Sequence, residues 1–214
     1  MPLRSGGVLY LPPMELSGAV QGRRMVRSFS SAPVAPGVLD HILELASTAP
    51  SAGNTGGWDA VVLTGPEQTE RFWEATTTAD WRMSSRRWPG MSRAPVVVAL
   101  FVRAEAYLER YRLADKQSSA LGDDETAWPV PYWFVDGGFA ALLLLLGATD
   151  VGLGACFLGN FRGEPQLRVA LGVPDDRRYL GAVVMGTPDG VDPPSSSAAR
   201  GRRPLPEVVH RGRW

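Results

Sequence analysis

The hydrophobic pattern is clearest at residues 95–102, an unbroken apolar run in which Val96, Val97 and Val98 stand in sequence. A continuous run of this length, opened by a proline, predicts a strand buried on both faces. Further strands are predicted at 60–63, closed by Gly65-Pro66, and at 180–186. Elsewhere the period lengthens. Val38, Ile42, Leu45 and Ala49 fall on one stripe and predict a helix over 38–48, which the turn-forming run Pro50-Ser51-Ala52-Gly53-Asn54 stops. Helices are also predicted at 15–24, 67–75, 104–113 and 162–171. The longest predicted helix covers 132–148, and between Asp136 and Asp150 it is apolar all the way round. The 13 residues between those aspartates would span roughly 20 Å, short of the ~30 Å hydrocarbon core of a membrane. The stretch therefore reads as a fully buried helix.

This order is neither regular βαβ alternation nor all-helical, and it predicts one α+β domain. The body runs over 14–187, between an N-terminal arm at 1–13 and a linker and tail at 188–214. Both extensions carry apolar residues (Leu9, Leu11, Val208, Val209, Trp214) that need cover, and a partner subunit supplies it most economically. The polar stretch 114–131, with Gly122-Asp123-Asp124 and two prolines, is long enough for a lid or functional loop.

Composition narrows the chemistry. The 22 basic and 22 acidic side chains balance, so no global field favours nucleic acid or an anionic membrane, and an anion site must come from local clustering. Lys116 is the only lysine, so the choice of arginine at any one position carries little weight. The single cysteine, Cys156, excludes an internal disulfide and a CxxC site. His41 and His210 are the only histidines, and no metal-ligand spacing is present. Any chemistry then belongs to a bound organic cofactor. Val8 to Leu11 is too short for the apolar core of a signal peptide, and the expected compartment is the cytoplasm.

Three runs carry candidate chemistry. Arg23-Arg24-Met25-Val26-Arg27-Ser28-Phe29 gathers three guanidinium groups suited to phosphate oxygens, though a basic helix end would read the same way. Ala49 to Trp58 is rich in small residues that let the backbone approach a flat ligand, and Asn54 can both donate and accept at a heteroaromatic edge. It is equally an ordinary loop. Gly152-Leu153-Gly154-Ala155-Cys156-Phe157-Leu158-Gly159-Asn160 follows the apolar helix and exposes backbone N–H groups. It lacks the third glycine of a dinucleotide fingerprint.

In this order and spacing the runs resemble the nitroreductase family. That family shows an Arg-Arg-Ser-x-Arg-x-Phe run, an Ala-Pro-Ser-Ala-x-Asn-x-Gln-Pro-Trp run, and a Gly-Leu-Gly run after a long apolar helix. A basic tail then precedes a Val-Val-His-like segment, a place filled here by Arg200 to Pro204 and Val208-Val209-His210. The resemblance covers residue 15 to the C-terminus. It implies a central, mainly antiparallel sheet flanked by helices, in an intertwined homodimer with two FMN molecules at the interface. Arg23, Arg24 and Arg27 would then meet the FMN phosphate, ribityl chain and pyrimidine edge, with Arg200 and Arg202 adding to the phosphate site. Pro50, Ser51, Ala52 and Asn54 would reach the flavin from the opposite subunit, and Phe157, Leu158 and Gly159 would run along the isoalloxazine. Two departures stand out. Met25 replaces the usual serine, and Gly56-Gly57 replaces Gln-Pro, which should loosen the loop.

The implied activity is FMN-dependent, NAD(P)H-driven reduction of a small aromatic or otherwise electrophilic substrate by ping-pong hydride transfer. A flavin oxidase or dehydrogenase of a biosynthetic pathway and a non-catalytic flavin-binding protein are the alternatives. Protons can come from solvent, so the sequence assigns no catalytic side chain. Tyr111, Trp128 and Tyr132, within 107–134, are the candidate substrate contacts, placed where the family varies its substrate cover.

Overall fold

A computed structural model of the chain describes residues 14–84, 88, 90–160, 162–192 and 200–214. The arm at 1–13 and the linker residues 193–199 lie outside the described residues. Four strands, β1 (Trp58–Thr64), β2 (Val96–Val102), β3 (Gly154–Leu158) and β4 (Arg178–Gly186), pair antiparallel in the order β1-β2-β4-β3. The valine-rich run is β2, one of the two inner strands, and all seven of its residues are buried. Val98 lies opposite Val62 of β1 and Val183 of β4.

Strand side chains alternate between faces, so β2 feeds two cores. Val96, Val98 and Leu100 pack with Val183 and Met185 against Ile42 of α2 (Pro36–Ser47) and Leu144 and Ala148 of α6 (Tyr132–Asp150). Val97, Cys156, Ala182 and Val184 pack on the other face with Phe72 and Trp73 of α3 (Gly65–Thr76) and Leu167 of α7 (Glu164–Leu171). Three smaller helices complete the described part: α1 (Leu16–Gly22), α4 (Ala79–Ser84) and α5 (Ala104–Tyr111). Helix α4 is an element the sequence pattern does not predict.

Helix α6 differs from its sequence-based description in two ways. It is 19 residues long, running two residues past the predicted end to Asp150, and by length and composition alone it could cross a membrane, although about half of it is buried within the fold. It is also not enclosed on every side within one chain, since Gly138, Phe139 and Leu142 remain exposed. The 114–131 stretch is not an open loop. Two short 3-10 turns fold it down, and Arg178 of β4 grips Glu125 with two hydrogen bonds of 2.8 and 2.6 Å.

Candidate functional site

The arginine segment leaves α1 at Gly22 and runs extended along the outer side of β3. Met25 forms a parallel bridge with Ala155, and Val26 N–H donates to the Ala155 carbonyl at 3.0 Å. A Cβ at Gly154 would stand 2.8 Å from Val26 Cγ2, so glycine permits this approach. Met25 turns its side chain into the core, while its carbonyl accepts from Arg27 Nη1 at 2.8 Å. The far side of the segment is laced to residues 187–192. Ser30 N–H donates to Thr187 O, Arg27 N–H to Asp192 Oδ2 at 2.9 Å, and Ser28 Oγ to Asp189 Oδ2 at 2.7 Å. Arg93 pairs with the same Asp189 carboxylate and donates its Nε to Phe29 O at 2.9 Å. The hydrogen bond from Ser28, then those from the Val191 N–H and Arg93, hold the Asp189 carboxyl below the usual carboxylate range.

The first and third runs of the sequence therefore meet in space, and they meet with donors to spare. Arg23 Nη1 is buried without a hydrogen-bond partner among the described residues, as is Asn160 Nδ2 at the end of the glycine-rich run. Buried donors of this kind are costly unless something accepts from them. Arg24 is exposed. Phe157 and Leu158 are half-buried and Gly159 is exposed, so the strip ends at the surface. Burial pushes the Cys156 thiol up to about 11, although Arg27 pulls the other way. No thiolate is available there at neutral pH.

The second run sits elsewhere in the chain. It leads into β1, at the opposite edge of the sheet from β3 and roughly 14 Å away across three strand spacings. Ala52 N–H and Tyr107 O–H both donate to Asp136 Oδ2 at 2.8 Å. Arg110 Nε donates to Gly53 O at 2.8 Å, and Ser51 Oγ accepts from Gly56 N–H at 2.8 Å. Gly53 and Asn54 both take positive φ, 63° and 55°, and Asn54 stands exposed at the tip beyond exposed Pro50. Gly56-Gly57 does not loosen this loop as the sequence suggests. The Tyr107 ring fills the space beside Gly57, and Asp136 and Arg110 tie the backbone down.

Arg200 and Arg202 are not brought to the other arginines within one chain. Every residue from 200 to 214 is exposed, and the described contacts of the tail are internal, as in Arg203 with Glu207 and His210 against Trp214. Among the candidate substrate contacts, Trp128 is only 8% exposed, boxed in by Tyr107, Tyr111, Tyr132 and Trp133, and its Nε1 donates to Leu121 O at 2.8 Å. Within one chain it anchors the folded segment. Tyr132 is exposed, and Tyr111 lies under Gly53, so the 107–134 region touches the second run directly.

Sequence reasoning passes over Asp136, Asp189 and Asp192 as site residues, and reads Tyr107 only as one of the aromatics of the 107–134 region. A signal did exist for Asp136, since a lone carboxyl in an apolar helix demands a partner.

Comparison with known proteins places the chain in a family. A model described as the nitroreductase family matches residues 20–187. A Thermus thermophilus protein named NADH dehydrogenase is 31% identical over 93% of this chain and 97% of its own length. A Bacillus subtilis FMN reductase [NAD(P)H] is 28% identical over 92% of this chain and 73% of its own. The fold matches that of an Exiguobacterium sibiricum protein solved in complex with FMN, with a TM-score of 0.70, 19% identity, and coverage of 92% of this chain and 97% of that one. On both sequence and fold, this chain belongs to the nitroreductase family.

Proposed function

We propose that the protein is an FMN-dependent oxidoreductase that works as a homodimer. NAD(P)H would be its electron donor and a small aromatic or otherwise electrophilic molecule its acceptor, the two substrates using the site in turn. The observation that carries this reading is the junction of the arginine segment with β3, together with the buried Arg23 Nη1 of that segment, which has no hydrogen-bond partner among the described residues. A phosphate monoester is the natural complement of such a donor set, because guanidinium groups bind its oxygens with charge-assisted hydrogen bonds. Arg23, Arg24 and Arg27 would hold the phosphate and the polar edge of FMN, and the Phe157-Leu158-Gly159 strip would support the ring. Bound FMN supplies the hydride acceptance and donation that no side chain here can perform. The residues of the chain orient the ring, keep water from it and place positive charge beside it. The names of the Thermus and Bacillus relatives support a nicotinamide donor.

The homodimer is supported by the separation of the runs. Asn54 and its loop lie across the sheet from the Met25–Ala155 junction, so a second copy brings the loop to the flavin most directly. The exposed Phe139 and Leu142 of α6, and the exposed tail with Arg200 and Arg202, are the surfaces such a copy would cover.

The test is direct. The chromophore released on denaturation should be FMN, and anaerobic NADH or NADPH should bleach the bound flavin. Stoichiometric FAD, or no flavin binding at micromolar concentration, would overturn the cofactor. Bound FMN that neither nicotinamide reduces would overturn the donor.

A further inference from the structure

We propose that Asp136 and Tyr107 form a positioning pair that fixes the 51–56 loop as a preformed cover for the flavin; the flavin part rests on the reading above. Asp136 is 2% exposed in an otherwise apolar helix, where a carboxyl is unfavourable unless it is hydrogen-bonded. Its neighbours on the same buried face, Gly137, Ala140 and Ala141, do the packing that the helix needs. The carboxyl serves the loop instead. Its Oδ2 receives the Ala52 N–H from the loop and the Tyr107 O–H from α5. Burial, then the Asp136 hydrogen bond, raises the Tyr107 phenol well above its ordinary value, so it remains a donor throughout the working pH range.

The neighbouring contacts act on the same short stretch. Tyr107 can reach Asp136 because residue 57 is glycine and leaves room for the ring. Tyr111 closes the underside of Gly53, where a Cβ would stand 2.9 Å from Tyr111 Cε2, and Arg110 takes the Gly53 carbonyl. Between these fixed points Asn54 holds φ 55°, a conformation that costs free energy for a residue with a side chain and persists where the surroundings over-determine it. The loop is thus ordered before any ligand arrives, which removes an ordering cost from binding. Asp136 does not touch the flavin; it acts through Ala52.

Full-length Asp136→Leu, Asp136→Asn and Tyr107→Phe would be compared with the wild type by amide hydrogen exchange, thermal melting and FMN titration. Asp136→Leu and Tyr107→Phe should speed exchange over residues 51–56 at least tenfold and weaken FMN binding about tenfold, leaving exchange in β2 and β4 unchanged. Asp136→Asn should stay close to wild type, because one amide oxygen can accept from both donors. Wild-type exchange over the loop in Tyr107→Phe would overturn the proposal, and so would faster exchange with unchanged FMN affinity. If Asp136→Leu fails to fold, Tyr107→Phe decides. A wild-type protein that binds no FMN overturns the flavin reading alone, because loop exchange still reports whether the pair sets the loop.

Discussion

The ring of Tyr107 occupies the space that a side chain on Gly57 would need. Because that ring is fully buried, it cannot swing aside without opening the aromatic cluster it shares with Trp128 and Trp133. Gly57→Ala should therefore cost about 1–3 kcal/mol, as overpacking does, and weaken flavin binding at the same time. Chemical denaturation and FMN titration on one preparation check this. A variant as stable as wild type would mean that the ring can move.

Arg27→Ala should leave the chain folded, since the Arg27 N–H still reaches Asp192. A lost charge-assisted hydrogen bond is worth about 1.5–3 kcal/mol, so FMN affinity should fall by roughly one to two decades. Wild-type affinity would reduce Arg27 to a prop for the Met25 carbonyl.

Sedimentation of the wild type should report twice 23.1 kDa. Leu142→Asp places a charge on the exposed face of α6 and should give a monomer that has lost its flavin. A flavin-loaded monomer in either protein would remove the shared-site arrangement.

Trp128 and Tyr132 should part company on mutation. Trp128→Ala removes a buried ring and should lower stability by about 3–5 kcal/mol. Tyr132→Ala removes an exposed one, leaving the melting temperature near wild type and changing KM across a panel of aromatic acceptors. Equal acceptor kinetics in Tyr132→Ala would take that residue out of the substrate site.

Asp189 predicts part of the acid limb of stability. Its folded pKa is lowered, so the stability it contributes is fully present above the ordinary carboxylate value of ~3.9 and is lost as pH falls through the lowered value. Asp189→Asn should be less stable than wild type at neutral pH, and the gap should narrow below about pH 4. Urea midpoints measured from pH 7 down to pH 3 give the comparison, and a gap that stays constant would count against the linkage.

Strand β2 was readable because seven consecutive apolar residues can satisfy two cores at once, and α2 because its stripe has one period. Strand β3 was harder to read. Its Gly154, Ala155 and Cys156 are small and carry little strand signal, yet small residues are what the close approach of Val26 requires. Helix α4 is six residues long, too short for a period to show. The arginine and glycine-rich runs were visible separately, but their contact depends on the sheet order, which puts β3 at an edge beside the arginine segment. Asp136 marked only the border of an apolar stretch until the fold brought Ala52 and Tyr107 to it.

The strand order also governs how the chain can be made. Strand β2 has β1 as an early neighbour, but its other edge waits for β4, which is synthesised after α6, β3 and α7. From the completion of β2 until β4 is made, the most apolar strand of the protein has one edge open and neither face fully covered. Long-range pairing of this kind is slow to form and exposed to aggregation while it waits. The nascent chain is therefore a natural client for a chaperone until residue 186 has left the ribosome, and truncations that stop short of β4 should accumulate as insoluble protein.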